Sequence, residues 1–205
     1  MVSMPISTNQ DSRNIDIWGV PPIRVRMNEP FDELVSLNPD LRIEQTSSGE
    51  VVFMSPTGGE SGYRNTKIIA QLCLWSESRG GRAFDSSTLF RLPNGAKRSP
   101  DASWVSLTRW QALSSAERKS FPPLCPDLVV ELRSESDRLS DLQEKMIEYL
   151  QNGAQLGWLI DPLLQHVHVY KPGQEPEVHA APDSLSGGDV LPGFVLDLRA
   201  IWVES

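Results

Sequence analysis

The stretch Asp127-Leu-Val-Val-Glu-Leu-Arg-Ser134 decides how the chain is expected to fold. Its apolar run is typical of a strand that is covered on both faces, as the central strands of an α/β sheet are. Glu131 lies inside this run, and an ionised carboxylate is costly to bury without compensation. Three explanations are open: a partner cation such as Arg133, a strand edge where Glu131 meets water, or a bound divalent metal ion.

On the carboxyl side of this stretch, the sequence predicts one helix followed by two strands. The helix is expected to begin at Ser136 or Asp137, to run to about Asn152 and to end at Gly153. Lys145 borders its apolar face. The strands are expected at 156–160 and 166–170, on either side of an Asp-Pro turn.

On the amino side, apolar periodicity and turn signals predict three helices and two hairpins. Helices are expected at 28–37, 60–78 and 107–118, and strands at 41–45, 51–55, 82–92 and 97–105. Asn94-Gly95 is a strong hairpin signal between the last two strands. The predicted class is therefore α/β or α+β, with a mixed central β-sheet flanked by helices, an N-terminal hairpin and C-terminal strands. Residues 1–22 lack apolar periodicity and are expected to form a flexible arm before a single domain at 23–205.

Composition narrows the class of function. The net charge of −8 disfavours a protein that coats nucleic acid non-specifically, because such affinity comes from Lys and Arg. It does not disfavour a site that uses acidic residues to hold metal. Neither a signal peptide nor a membrane span is evident in the sequence, so we expect a cytoplasmic protein.

Two carboxylates and one amine are expected to meet at one end of the predicted sheet. Asp101 and Glu131 lie on separate strand-like segments, and Lys145 lies on the helix that follows the second strand. Phosphodiester hydrolysis requires this set: oxygen ligands for Mg²⁺, a metal-bound water, and a cation that stabilises the developing negative charge. The alternative for Lys145 is a solvated lysine that pairs with Asp141 or Glu148 on its own helix.

The order of several motifs resembles one family, the Uma-type putative restriction endonuclease family. The resemblance covers nearly all of the chain except the arm. The motifs that carry it are Arg42-Ile-Glu, Val52-Phe-Met-Ser-Pro, Ser99-Pro-Asp-Ala, Pro126-Asp-Leu-Val-Val-Glu-Leu-Arg-Ser, Ser136-Asp-Arg-Leu, Asp141-Leu-Gln-Glu-Lys-Met, Asn152-Gly, Gly157-Trp-Leu-Ile-Asp-Pro and Leu191-Pro-Gly.

That family looks like a branch of the PD-(D/E)XK nuclease superfamily, which implies a restriction-endonuclease-like fold and one or two Mg²⁺ or Mn²⁺ ions. By position, Asp101 and Glu131 would bind metal together with the Leu132 carbonyl. The superfamily usually places its lysine two residues after the second acid, where this chain has Arg133. Arginine remains protonated and cannot exchange a proton with an attacking water, so the resemblance implies that Lys145 takes that role.

Other acidic residues are weaker candidates. Glu60 opens a long helix, where related nucleases present an acid to the metal; alternatively, the helix dipole alone favours a carboxylate at that position. Asp127 forms a second Pro-Asp pair, but Asp101 is preferred because the superfamily places its first acid on an earlier strand. Glu135 replaces a proline that the family pattern usually has, which adds negative charge near the proposed site.

The resemblance implies an endonuclease that cleaves DNA through in-line attack by a metal-bound water. The expected substrate contacts are Arg64, Lys67, Lys97, Arg98 and Arg133, with Arg79 and Arg82 as further candidates. A homodimer would suit an enzyme that cuts two strands, by analogy. Two alternatives stay open: an inactive nuclease-fold protein that binds nucleic acid or a protein partner, and an enzyme that acts on RNA or a nucleotide. The three histidines, at 166, 168 and 179, are expected at the surface.

Overall fold

A six-stranded mixed sheet forms the centre of the fold. The computed structural model describes the backbone of residues 23–26 and the full residues 30–38 and 40–202; the predicted arm at 1–22 lies outside the described residues. The sheet has the order β11-β10-β9-β8-β7-β4, with β8 and β9 parallel and all other neighbours antiparallel. Its strands are β4 (Arg82–Asp85), β7 (Ala102–Val105), β8 (Leu128–Leu132), β9 (Leu156–Asp161), β10 (His166–Tyr170) and β11 (Glu177–Ala180).

A second, five-stranded sheet of order β1-β3-β2-β6-β5 and a short hairpin complete the strands of the described chain. The second sheet consists of β1 (Ile23–Arg26), β2 (Ile43–Gln45), β3 (Glu50–Phe53), β5 (Phe90–Arg91) and β6 (Lys97–Arg98), and the hairpin of β12 (Ser184–Ser186) and β13 (Val195–Asp197). The helices are α1 (Phe31–Leu37), α2 (Gly59–Arg79), α3 (Leu107–Ala112), α4 (Ser115–Lys119), α5 (Leu139–Gln151) and α6 (Arg199–Trp202). None of the described helices is long and apolar enough to span a membrane.

Side chains of β8 point alternately to the two faces of the sheet, and they contribute to a separate core layer on each face. Leu128, Val130 and Leu132 pack against α2, whereas Val129 packs on the opposite face against Met146 of α5. Because side chains of a strand alternate between the two faces of the sheet, Glu131 shares the α5 face with Val129. Helix α5 is the crossover between parallel β8 and β9, so it lies directly over Glu131. The predicted class, a mixed sheet flanked by helices, is confirmed.

The predicted strands at 82–92 and 97–105 are too long. Each is split into a segment in the six-stranded sheet and a segment in the five-stranded sheet. The first is interrupted after Asp85, whose carboxylate accepts a hydrogen bond from the Ser87 N–H and turns the chain. The second is interrupted by Pro100, which has no N–H to donate. Asn94-Gly95 does join β5 to β6 as a hairpin, as predicted.

Two further expectations need correction. The helix predicted at 107–118 is two helices, because Ser114 begins α4 with a capping box in which Ser114 and Glu117 bond each other's backbone N–H groups. His168 is buried rather than at the surface, since β10 is paired on both sides, with β9 and β11. His166 is half-buried, and His179 is exposed on the edge strand β11 as expected.

We expect Gly81→Ala to destabilise the fold by about 2 to 4 kcal/mol, combining a strained backbone with an overpacked contact. Gly81 has φ +86°, and an added Cβ would lie 2.4 Å from Nε1 of the buried Trp104 indole, a rigid group that itself donates to the Gly80 carbonyl. Gly95 is the matched control, since its φ is +90° but no atom lies within 4 Å of an added Cβ. Urea unfolding should show a loss of only about 1 kcal/mol for Gly95→Ala. Equal losses in the two variants would contradict the packing argument.

Candidate functional site

Asp101 and Glu131 are neighbours across two antiparallel strands. The pairing of Ala102 with Val130 places Asp101, one residue before β7, beside Glu131 on β8. Cross-strand neighbours lie beside each other, so the two carboxylates are close together at this end of the sheet. Asp101 is held there by two hydrogen bonds: its Oδ2 accepts from the Leu132 N–H at 2.8 Å, and its Oδ1 accepts from the Asn65 amide at 3.3 Å.

Helix α5 adds an ammonium and a phenol to this pair of acids. The Lys145 Nζ lies 2.9 Å from Oε1 of Glu131, and the Tyr149 hydroxyl donates to the same oxygen at 2.9 Å. Lys145 and Tyr149 are four residues apart and therefore lie on one face of the helix. The sequence left Lys145 open between a solvated lysine and a site lysine; it is buried and pairs with acids from other elements instead of Asp141 or Glu148. Tyr149 fills the core and also contacts Glu131.

A third carboxylate, Glu44 of β2, belongs to the same cluster and was given no role by the sequence analysis. Its Oε1 accepts from the Lys145 ammonium at 2.9 Å and from the Ser99 N–H at 2.8 Å. Its Oε2 accepts from Arg98 at 3.1 Å, and Arg98 also bonds Glu148 at 2.6 Å. Glu44 is therefore bonded on both oxygens and is only 3% exposed.

Burial raises the pKa of Glu131 to about 8, and the nearby Asp101 and Glu44 carboxylates add to this effect, although Lys145 opposes it. Burial also raises the pKa of Asp101, which the Leu132 N–H partly offsets. Glu44 behaves differently: burial would raise its pKa, but Lys145 and Arg98 hold it below the ordinary value. Burial would lower the pKa of Lys145, yet Glu131 and Glu44 raise it above its ordinary range. The cluster thus holds a permanent cation and more acidic groups than that cation compensates.

These groups line a cavity of about 910 Å³ between the two sheets. The cavity is also lined by Glu60 at the start of α2, by Leu132 and by Arg133. Glu60 is exposed and pairs with Arg64 at 3.0 Å, so it reaches the cavity rim rather than the buried cluster. The sequence-predicted residues on the cavity wall are Asp101, Glu131, Leu132, Lys145, Glu60, Arg64 and Arg133.

The remaining predicted substrate contacts are not on this wall. Lys67 lies over the Tyr63 ring, Lys97 bonds Gln45, and Arg98 is held between Glu44 and Glu148. Arg133 does line the cavity, but its guanidinium bonds Asp161 at 2.8 Å. Arg64 in turn donates to the Ile201 carbonyl. Arg98 and Arg133 are therefore already engaged by buried or half-buried acids, which does not favour their contact with phosphate.

The alternative acid, Asp127, occupies the opposite end of β8. Its carboxylate accepts from the Ser106 N–H at 2.7 Å and from Arg109 at 2.8 Å. The two bonds join the start of β8 to Ser106, which precedes α3, and to Arg109 within α3. This position supports the preference for Asp101 as the first acid of the cluster.

The residues at the cavity fit a divalent cation, although residues 30–38 and 40–202 contain no group of three His, Cys, Asp or Glu arranged as a preformed metal site. Mg²⁺ is usually held by one or two carboxylates together with water and substrate phosphates, so two acids are sufficient. Oδ1 of Asn65, next to Asp101, is buried and has no hydrogen-bond partner. A cation at this position would also stabilise the charged forms of Asp101 and Glu131, whose pKa values are raised by burial.

Comparison with known proteins gives one family and one fold. The model of the Uma2 family, described as "Putative restriction endonuclease", matches residues 29–199. Among solved structures, the chain is similar to a protein described as a putative nuclease belonging to DUF820 from Anabaena variabilis ATCC 29413, with a TM-score of 0.67 and 22% identity over 78% of this chain and 89% of that chain. At this identity, the likeness establishes the fold alone. No curated protein matches the sequence.

Proposed function

The chain belongs to the Uma2 family, and from this premise we propose that it is an endonuclease that hydrolyses DNA phosphodiester bonds with a divalent cation held by Asp101 and Glu131. The observation that supports this proposal best is the shared cavity, which both carboxylates line together with the Lys145 ammonium that contacts Glu131. The Leu132 carbonyl and Asn65 are proposed as further oxygen donors. Mg²⁺ or Mn²⁺ at this position would neutralise phosphate charge and lower the pKa of water, so that the water loses a proton more readily as it attacks the phosphorus.

Each residue of the cluster has a distinct proposed role. Asp101 is fixed by the Leu132 N–H, which orients its carboxylate without neutralising it. Glu131 has both Lys145 and Tyr149 on a single oxygen, Oε1. Lys145 gives two of its three N–H donors to Glu131 and Glu44, and the third is available to a phosphate oxygen as negative charge develops there. The ammonium would therefore bind the reacting phosphate without losing its own anchors.

The cations at the cavity determine how a phosphate substrate would be bound. Within the described residues, the cations on the cavity wall bond protein acceptors: Arg42 the Ser86 carbonyl, Arg64 Glu60, and Arg133 Asp161. Phosphate affinity would then come mainly from the divalent cation and Lys145. We therefore expect binding of DNA to be weak without the cation.

Nicking of supercoiled plasmid tests the proposal. Purified protein should convert plasmid to the open form with Mg²⁺ or Mn²⁺ and not with EDTA. Asp101→Asn should lower the rate by about a hundredfold or more, because it removes the charge of a proposed metal ligand. Asp127→Asn is the matched control: it changes the other aspartate of a Pro-Asp pair, at the opposite end of β8, and folded protein should keep its rate.

The proposal fails if folded protein cleaves neither DNA nor RNA with either cation. Calorimetry with Mn²⁺ then separates the two remaining explanations. Binding of Mn²⁺ that is lost in Asp101→Asn would leave a metal-binding protein without nuclease activity. Absence of binding at millimolar Mn²⁺ would favour a nuclease-fold protein that binds nucleic acid or a protein partner.

A further inference from the structure

Glu44 links the five-stranded sheet to helix α5 through its contact with the site lysine. It lies on β2 of the five-stranded sheet, 101 positions before Lys145 in the chain, and is buried. Its partner strand explains the burial: Glu44 pairs with Val52, and both Val51 and Val52 are buried, so the two faces of this hairpin are covered. An acid in such a place requires specific partners, and Glu44 has three.

The partners of Glu44 occupy three of the roughly four acceptor positions of its carboxylate. Ser99 and Lys145 donate to Oε1, and Arg98 donates to Oε2. Asp101 and Glu131, in contrast, have few cationic partners in the part of the chain that the structure describes: there, only Lys145 forms an ion pair with Glu131, and Asp101 is bonded by neutral N–H groups. Glu44 therefore has two cationic partners, Lys145 and Arg98, whereas, among the described residues, the two acids proposed to hold metal have fewer.

The contact constrains a side chain that would otherwise be mobile. A lysine carries its ammonium on a flexible four-carbon stem. A single ion pair would still allow the stem to adopt several conformations. Lys145 lies 2.9 Å from Glu131 of one sheet and 2.9 Å from Glu44 of the other. Two fixed acids on different elements determine where the nitrogen sits and leave its third N–H to the cavity.

We infer that Glu44 is a positioning residue, which acts through Lys145 and touches neither metal nor substrate. This inference rests on the proposed function, because it assigns Glu44 to the same reaction. Because Glu44 holds the ammonium together with Glu131, Lys145 stays at the cavity wall.

The chain provides a matched control in Glu148. Arg98 bonds both Glu44 and Glu148, but only Glu44 contacts Lys145. Glu44→Gln and Glu148→Gln therefore each remove one carboxylate from the same arginine. Any effect that is specific to Glu44→Gln arises on the Lys145 side of the cluster.

The first measurement is steady-state cleavage kinetics together with Mn²⁺ affinity. Glu44→Gln should lower kcat by about 10- to 100-fold with little change in KM or in Mn²⁺ affinity, as is typical for a group that orients a functional side chain. Glu148→Gln should change kcat little. A parallel loss of Mn²⁺ affinity in Glu44→Gln would overturn the inference, because Glu44 would then be a metal ligand. Equal kcat losses in the two variants would overturn it as well.

The second measurement does not depend on activity. In protein with ¹⁵N-labelled lysine, the Lys145 ammonium should give a signal protected from water exchange, assigned by its absence in Lys145→Arg. Its protons should exchange at least about tenfold faster in Glu44→Gln but not in Glu148→Gln. If Glu44→Gln does not fold, Glu44→Asp keeps the charge, withdraws the carboxylate and should also speed exchange. Unchanged exchange in folded Glu44 variants overturns the inference.

The two measurements separate this inference from the proposed function. A protein that cleaves DNA while its Lys145 ammonium is indifferent to Glu44 would keep the function and lose the positioning role. A protein that does not cleave, but whose ammonium is released only by Glu44 substitutions, would keep the anchoring contact and lose its catalytic meaning, so the inference would fail with the function.

Discussion

Glu131→Gln is expected to remove both cleavage and metal binding while leaving the fold intact. Glutamine has the shape of glutamate, and its carbonyl oxygen can still accept from Tyr149 and Lys145. The charge that would hold a divalent cation is lost. We expect cleavage to fall about 100- to 1,000-fold and Mn²⁺ affinity to fall with it, measured by plasmid nicking and calorimetry.

The pH dependence of the free energy of unfolding is the control for this variant. It shows whether Glu131→Gln is folded and whether Glu131 is the group with the raised pKa. The pKa of Glu131 is raised from 4.5 to about 8 in the folded protein, so the native state holds a proton that the unfolded state releases. In the metal-free protein, the contribution of Glu131 to stability is therefore greatest below pH 4.5 and is lost as the pH rises toward 8. Glu131→Gln has no such proton, so it should be more stable than the natural chain above about pH 8.

Two outcomes would contradict this account of Glu131. If Glu131→Gln binds Mn²⁺ as well as the natural chain does, Glu131 is not a ligand. If denaturant unfolding at pH 9 shows the variant to be less stable, then the ion pair with Lys145 outweighs the burial of the carboxylate. Both results are accessible without a known substrate.

The larger sheet follows from local patterns in the sequence. The apolar run of β8 indicates a central strand, and the helical periodicity after it indicates the crossover α5. Together they place Glu131 and Lys145 on adjoining elements, which is why a charged residue in a buried strand was informative. Asp101 lies on an earlier strand-like segment, and the register of β7 and β8 places it beside Glu131.

The division into two sheets did not follow from local patterns. The segments around Asp85 and Pro100 have ordinary strand composition on both sides of each break, and only tertiary pairing decides which sheet each half joins. Propensity describes a residue's suitability for a strand, not its partner. The cavity between the sheets was therefore not predictable from the strands alone.

Glu44 was missed for a related reason. Next to the buried Ile43, alternation predicts that Glu44 faces water, as on a sheet with one solvated face. The available signal was on the neighbouring strand, where Val51 and Val52 are consecutive apolar residues and indicate that both faces are covered. A carboxylate paired with the second of these valines should have been suspected as buried.

Lys145→Met is expected to destabilise the protein by about 3 to 5 kcal/mol, because it leaves two buried acids without their shared cation. Glu131 can take up a proton, since its pKa is already about 8, but Glu44 retains its charge through Arg98 and the Ser99 N–H. The measurement is denaturant unfolding at pH 7. Lys119→Met on the exposed end of α4 is the control and should change stability by less than about 0.5 kcal/mol.

A double variant tests whether charge is the cause. Adding Glu44→Gln to Lys145→Met removes one of the two acids that have lost their shared cation. The double variant should therefore be more stable than Lys145→Met alone, and the effects of the two substitutions should not add. Additive losses would mean that Lys145 stabilises by packing of its stem instead. Replacement of a buried ion pair by apolar groups is often neutral or stabilising, so a cluster of this kind is poor evidence of selection for stability. A recovered double variant that no longer cleaves would indicate that the ammonium is retained for its chemistry.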